Sequence, residues 1–372
     1  MPLATTISKI HARMRLDLNE ALELYQKADF YQLGQLAQAV RFQKHPEPFV
    51  SYVVDRNINY SNVCVCGCRF CAFYRPPGHP EAYVLTREEL TGKIEETLSL
   101  GGTQILMQGG HHPALPLAFY EEMLSFIKSR FPIHIHAFSP PEMVHFAKLE
   151  QLSLAEVISR LRAAGLDSIP GGGAEILVES VRKRVSPNKC SAEAWLQVME
   201  EAHRQGMRTT ATMMFGHEEE PRHRIQHLLA LRELQDRTGG FTAFIPWPFQ
   251  PTNTAIHRSP ETPIAYLRLL ALSRIVLDNF DNIQASWVTM GPKVAQLALH
   301  FGANDFGSTM IEENVVAAAG VHFRLSVREL RRLIQDAGFR ARQRTMAYEW
   351  VEPGEGFCEV ETRRCGDTEM GR

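Results

Sequence analysis

Residues 57–75 read NINYSNVCVCGCRFCAFYR. The stretch opens as an apolar run that predicts a strand over 58–64. It passes directly into a loop bearing Cys64, Cys66, Cys68 and Cys71. Cys64-x-x-x-Cys68-x-x-Cys71 sets three thiols on one short loop at a strand end. Three such thiolates hold three corners of a 4Fe-4S cube and leave the fourth iron without a protein ligand. A structural zinc site asks for four closed ligands. Cys66 is available as a fourth, although positions 64, 66 and 68 alternate too tightly for paired C-x-x-C hairpins. Cys68 and Cys71 alone also satisfy the spacing of a redox dithiol. Cys190, Cys358 and Cys365 stand apart, and an odd set of seven cysteines, four of them clustered, in a chain without an apolar leader suits a metal or redox site better than a disulfide framework.

Outward from this loop the chain becomes rhythmic. Strand candidates at 58–64, 104–108, 133–138, 168–171, 209–215, 241–246, 283–288 and 303–306 alternate with amphipathic segments, which implies βαβ units and a parallel sheet. Thr86/Glu89, Ser153/Glu156 and Ser326/Glu329 have capping-box spacing, and Gly101, Gly165, Gly206 and Gly338 follow helical patterns as helix-closing residues. The span 57–305 is close to the ~250 residues of an eightfold barrel. The expected fold is therefore α/β, a (β/α)8 TIM-type barrel with an N-terminal helical extension and a C-terminal helical segment. The expected units are a helical extension over 1–50, the barrel over 51–310, a helical segment packed on it over 311–350 and a flexible tail over 351–372. In such a barrel function sits at the C-terminal ends of the strands. The unusual strings QGGHHP, FSPPE, PGGGAE, FGHEEE, PWPFQP and ANDFG fall there.

Composition removes other classes. In 372 residues, 40 Lys and Arg stand against 42 Asp and Glu, giving a net charge of −2. That balance gives no electrostatic footprint for nucleic acid. No apolar run is long enough to cross a membrane, and the expected location is cytoplasmic.

The motif Cys64-x-x-x-Cys68-x-Phe70-Cys71 resembles the signature of radical SAM enzymes. The strings GGTQILMQGG, IHIHAFSPPE, GLDSIPGGGAEIL, SPNKCSAEAW and FTAFIPWPFQP extend the resemblance over about residues 15–350. They resemble the futalosine-pathway branch of that superfamily, in menaquinone biosynthesis. The resemblance implies a 4Fe-4S cluster on Cys64, Cys68 and Cys71, with S-adenosyl-L-methionine on the open iron. It implies an oxidoreductase that uses a 5′-deoxyadenosyl radical to take hydrogen from the ribose of dehypoxanthine futalosine and join that carbon to the benzoate ring. It implies a low-potential electron donor such as flavodoxin or ferredoxin, and neither a nucleic acid nor a membrane as partner. Sibling activities, aminofutalosine synthesis and deazaflavin-cofactor synthesis, share the same motif. A non-catalytic metal-cluster module is the alternative of a different class. Two positions depart from the pattern: Cys66 replaces a small residue such as Thr, and His111 replaces Leu before His-Pro.

Further candidates follow from strand ends and from the resemblance. For the cofactor they are Phe70, Gln108, Gly109, Gly110, Ser139 and Glu175. A solvated Glu at a helix start is the plain alternative for Glu175. Catalytic candidates are His217, as the base that removes the ring proton, His136, and Asp305, with Asn304 beside it as a second group for sugar hydroxyls. His134 and His136, two apart on a strand, share a side. Trp247 and Phe249 offer aromatic faces at the barrel mouth. Lys293, Arg69, Arg75 and Arg184 are candidate partners for a carboxylate.

Overall fold

The computed structural model describes residues 3–352. The expected tail, from residue 353 onward and including Cys358 and Cys365, lies outside the described residues. Ten strands carry the architecture: β1 Phe49–Val53, β2 Asp55–Ile58, β3 Gln104–Met107, β4 His134–Ala137, β5 Ser168–Ile169, β6 Arg208–Phe215, β7 Phe241–Pro248, β8 Asn282–Ile283, β9 Asp305–Ser308 and β10 Arg340–Gln343. β2 to β8 form a parallel sheet in sequence order. Asn304 N donates to Ile283 O at 3.1 Å and Ala285 N to Asp305 O at 2.8 Å, which ties β8 to β9. β9 pairs in parallel with β1, and β1 runs into β2 through Val54 alone. The ring thus returns to its first strand, giving the eightfold α/β barrel. β10 adds outside it, parallel to β1.

Strand period explains the lumen. Asp55 and Asn57, Gln104, Leu106 and Gln108, Thr210 and Thr212, and Ile245 and Trp247 line it at every second position. The residues between them, such as Ile105, Met107, Ile135, Ala211 and Phe244, are buried against the surrounding helices. The first strand lies at 55–58 rather than 58–64, because polar Asp55 and Asn57 face a polar lumen. The seventh strand is shorter than expected: Asn282–Ile283 gives way to the helical turn Trp287–Met290.

Helices Leu3–His11, Leu18–Lys27 and Phe30–Lys44 precede the barrel, and Phe30–Lys44 packs along Pro263–Val276 of the barrel's outer ring. All three expected capping boxes have both arms formed. The four helix-closing glycines all have positive φ. The C-terminal segment carries helix Val327–Asp336 and then β10. Among the described residues no helix is long and apolar enough to cross a membrane.

Buried polar groups staple the ring. The Arg274 guanidinium donates to Gly302 O at 2.8 Å, Asp281 O at 2.9 Å and Asn304 Oδ1 at 2.5 Å. Asn304 Oδ1 also accepts from Ile283 N at 3.0 Å, and its Nδ2 donates to Asn282 Oδ1 at 2.8 Å. One amide thus joins β8, the approach to β9 and the outer helix. Asn304→Ala strands two buried donors and is expected to lower the unfolding free energy by about 3 kcal/mol. Urea unfolding measures this, and a loss below about 1 kcal/mol would count against the staple.

Candidate active site

The chain leaving β2 folds over the C-terminal end of the barrel. Asn59 Nδ2 donates to Gln108 O at 3.1 Å, and Cys64 N to Arg75 O at 3.0 Å. Gly67 takes φ +59°, which turns the loop between Cys64 and Cys68. All four cysteines of the loop line one cavity of about 110 Å³, together with Gly109, Gly110 and Ser139. Gly110 is required by space: a Cβ there would lie 2.2 Å from Val63 O and 2.6 Å from Cys64 Cβ.

The loop prepares thiolates. Cys64 Sγ accepts from His111 N at 3.3 Å and Cys66 N at 3.4 Å. A hydrogen bond from the Cys66 thiol draws Cys64 down to about 6 and also lowers Cys68. Cys66 keeps its proton, pushed up by those same two neighbours, and sits 3.0 Å from His111 Nδ1. Burial raises Cys71. Among the described residues no three His, Cys, Asp or Glu side chains converge as one metal ion requires. A cube instead spreads its three thiolates over three irons. The donor set and the bare Gly110 wall fit a cluster.

Around the thiols lie groups for a polar cofactor. Gly109 N donates to Glu142 Oε1 at 3.1 Å, Tyr60 Oη to the same oxygen at 2.5 Å, and Ser139 Oγ to Glu142 Oε2 at 2.6 Å. Burial pushes the Glu142 carboxyl up to about 7. Phe138, at φ +61°, turns the chain out of β4 and brings Ser139 and Glu142 to the cavity. Glu142 was not among the sequence candidates; its only signal was the FSPPE string. Glu175 is buried, at φ +42°, and its helix begins only at Glu179. Its carboxylate takes Lys189 Nζ at 3.0 Å and Arg182 Nη1 at 3.5 Å, so it is no solvated helix start. Lys189, also unforeseen, lies 5.1 Å from the Phe70 ring centroid. Cys68 and Glu175 hold its ammonium above the ordinary lysine value against the opposing effect of burial.

A second cavity, of about 250 Å³, occupies the lumen. Gln108 and Gly172 are in its wall, while Gly109 is in the wall of the cysteine cavity. The end of β3 therefore separates the two. His136 lines the lumen, with Nδ1 2.7 Å from Ser168 Oγ and Nε2 3.5 Å from Thr210 Oγ1. Burial holds it well below the usual histidine value, so it is neutral. His134 reaches the same Ser168 hydroxyl at 2.7 Å and is not in the lumen wall.

The other candidates are placed elsewhere. His217 lines neither cavity: its Nδ1 accepts from Glu218 N at 2.7 Å and its Nε2 donates to Met214 O at 3.0 Å. Both nitrogens lock a turn, which leaves none to take a substrate proton. Asp305 lies behind the lumen wall and accepts from Ser51 Oγ at 2.9 Å, Gly307 N at 2.6 Å and Arg344 Nε. Asn304 is spent on the ring staple. Trp247 faces the lumen, whereas Phe249 is buried with Val185, Met214 and Ile256 in a small cluster against which Phe70 and Trp247 pack. Arg69, Arg75, Arg184 and Lys293 line neither cavity. Arg69 and Arg184 bond backbone carbonyls, and Arg75 bonds Glu81. The arginine in the lumen wall is Arg344, which sequence reasoning did not single out.

Comparison with known proteins agrees with this geometry. Residues 58–231 match the radical SAM superfamily, and residues 238–356 match the CofH/MqnC C-terminal region. The chain is 48% identical to the cyclic dehypoxanthine futalosine synthase of Halalkalibacterium halodurans, covering 91% of this chain and 92% of the relative. It is 42% identical to the 5-amino-6-(D-ribitylamino)uracil–L-tyrosine 4-hydroxyphenyl transferase of Methanopyrus kandleri, covering 91% and 94%. It is 39% identical to the aminodeoxyfutalosine synthase of Thermus thermophilus, covering 89% and 91%. Among solved structures, the FeFe-hydrogenase maturase HydG from Carboxydothermus hydrogenoformans superposes with a TM-score of 0.73 at 18% identity, covering 93% of this chain and 80% of that one.

Two predictions come from the site. Iron and sulfide reconstitution is expected to fail in Gly110→Ala. It is expected to succeed in Gly92→Ala, where a Cβ meets nothing within 4 Å, and in Cys66→Ala. Iron retained by Gly110→Ala, or lost from Cys66→Ala, would contradict the three-thiolate site. Glu142 moves from an ordinary 4.5 to about 7 on folding, so its contribution to stability is full below about 4.5 and is lost as pH rises through 7. Glu142→Gln removes that loss, and its stability relative to the parent chain is expected to rise by about 2–3 kcal/mol between pH 5 and 8. A difference that stays flat with pH would refute it.

Proposed function

The chain belongs to the radical SAM superfamily, and from that premise we propose that it cyclises dehypoxanthine futalosine. A hydrogen atom leaves the ribose carbon that bears the linker for the 5′-deoxyadenosyl radical, and that carbon bonds to the benzoate ring. The ring radical then gives up a proton and an electron, the electron returning to the low-potential redox chain that supplied the first one, so the product is two hydrogens lighter. The observation that carries the proposal is the shared wall at Gln108–Gly109, which sets a cavity for radical generation directly against a cavity for substrate. The 48% identity to an enzyme named for the cyclised product, against 42% and 39% for the siblings, supports this reading.

Cys64, Cys68 and Cys71 hold the cluster, and Gly109, Gly110, Ser139 and Phe70 line the adjoining space for S-adenosylmethionine. When bound, these groups supply a 5′-deoxyadenosyl radical, with a low-potential donor such as flavodoxin or ferredoxin providing the electron. Glu175 lines neither cavity; its carboxylate holds Lys189, whose side chain does line the cysteine cavity beside Phe70. His136, neutral and in the lumen wall, accepts the ring proton through Nε2, whose only hydrogen-bond contact among the described residues is the long one to Thr210. Trp247 and Leu106 cover the reacting carbon from water.

Anaerobic turnover with reconstituted, reduced protein tests this. 5′-Deoxyadenosine is expected together with a product two hydrogens lighter than dehypoxanthine futalosine. In His136→Gln, 5′-deoxyadenosine is expected to form without matching product. Cofactor cleavage with dehypoxanthine futalosine untouched would transfer the chain to a sibling reaction. No cleavage by a cluster shown competent by EPR would end the radical reading.

A further inference from the structure

The lumen has two unlike ends. Gln108, Gly172 and Trp247 sit at its mouth, at the C-terminal ends of their strands. Arg344 sits at its floor: it follows β10, and its backbone N donates to Tyr52 O at 2.8 Å, beside β1. Between them the wall combines apolar Leu106, Ile245, Trp287, Val288 and Met346 with polar Asn57, Gln104 and Thr210.

The Arg344 guanidinium is held on three sides. Nε donates to Asp305 Oδ2, Nη1 donates to Thr345 O at 3.1 Å, and the Tyr348 ring centroid lies 4.0 Å from Cζ. Nη2 has no hydrogen-bond partner among the described residues. Tyr348 keeps φ +63° to supply that ring. The other acidic groups of the lumen wall are already engaged. Asp55 accepts from Gln104 Nε2 at 2.8 Å and from Ser308 Oγ. Glu313 accepts from Asn57 Nδ2 at 2.7 Å, Val315 N at 2.8 Å and Val316 N at 3.0 Å. Burial raises both carboxyls toward their neutral forms. The floor therefore offers one fixed cation edge, beneath a wall that includes the apolar side chains Leu106, Ile245 and Trp287.

We infer that Arg344, positioned by Asp305 and Tyr348, anchors the carboxylate of an aromatic acid at the floor of the barrel, which points the rest of that ligand toward the mouth beside the cysteine cavity. This deepens the cyclisation reading and rests on it for the identity of the acid, a 3-acylbenzoate. A guanidinium fork has two edges, so the Asp305 contact at Nε leaves Nη2 for a second carboxylate. The anchored end places the ribose end near Gln108, the wall it shares with the radical site. Arg344 acts on where the ligand lies and not on the reacting atoms.

The test compares 3-acetylbenzoate with 3-acetylbenzamide by calorimetry on the full reconstituted chain. The parent chain is expected to bind the acid about 30-fold more tightly than the amide, as a charge-assisted bond inside a cavity predicts. Arg344→Gln alone leaves the Asp305 charge buried and threatens folding, so the decisive variant is Asp305→Asn/Arg344→Gln, which removes both charges together. In it the preference is expected to fall to within about 3-fold with amide affinity unchanged, while iron content and thermal midpoint confirm the fold. Dehypoxanthine futalosine turnover is expected to show the loss mainly in KM. Absence of an acid preference in the parent chain, or its persistence in the double variant, would overturn the anchor. Calorimetry needs no turnover. Acid preference without cyclisation would defeat the reaction reading and keep the anchor, and cyclisation without acid preference would do the reverse.

Discussion

The missing side chain at Gly110 sets the scale of the whole site. The end of β3 runs so close to the cysteine loop that one added carbon meets Val63 O and Cys64 Cβ at once. The barrel fixes that strand end through its pairing with β2 and β4, so the loop can settle only where glycine lets it. The same few residues then divide labour by strand period. Gln108 turns to the lumen, and Gly109 presents its N–H to Glu142 beside the thiols. A rigid parallel ring thereby delivers two cavities at one wall, which no flexible loop could hold in register.

Buried charge is spent in two ways. Asp305–Arg344 and Glu219–Arg224 are compensated ion pairs, and Arg274 is compensated by carbonyls and an amide. These hold the ring and the turn after β6. Glu142 differs: three neutral donors meet it, and no cation among the described residues touches it. Burial raises the Glu142 carboxyl toward its neutral form beside thiols of which Cys64 and Cys68 are drawn toward thiolate, so it adds less negative charge to that cavity than a solvated glutamate would.

Sequence made the barrel legible because each strand end carries unusual chemistry, and because capping boxes and closing glycines mark the helices between. The first strand was misplaced since a lumen lined by Asp55, Asn57 and Gln104 inverts the expected pattern: polar residues face inward. β10 escaped notice as a short, charged RARQ run outside the ring. The cysteine motif was legible because its ligands are local in the chain. Glu142, Lys189 and Arg344 were not, since each meets its partners only through the fold. Arg344 lies 39 residues from Asp305. His217 was misleading for the opposite reason: its position after a strand looked catalytic, while both ring nitrogens close the turn that carries it.

This division of legibility bears on how one barrel serves several reactions. The cysteine loop, Gly109 and Gly110 make the reactive species, and nothing in them depends on which molecule receives it. Discrimination has to come from the lumen, where position relative to Gln108 decides which carbon lies in reach. Walls of Leu106, Ile245 and Trp287 accept any flat ring, so they contribute affinity with little selectivity. A fixed charge at the floor is different. It converts the depth of the barrel into a ruler, because a ligand whose anion is held at Arg344 can present only the group one molecular length away. The guanidinium arrives from the segment after β10, outside the eight barrel strands and apart from the thiol loop, and its buried pairing with Asp305 ties that segment to the ring. Selectivity and radical chemistry therefore sit on different parts of the chain, which meet at the wall at the end of β3.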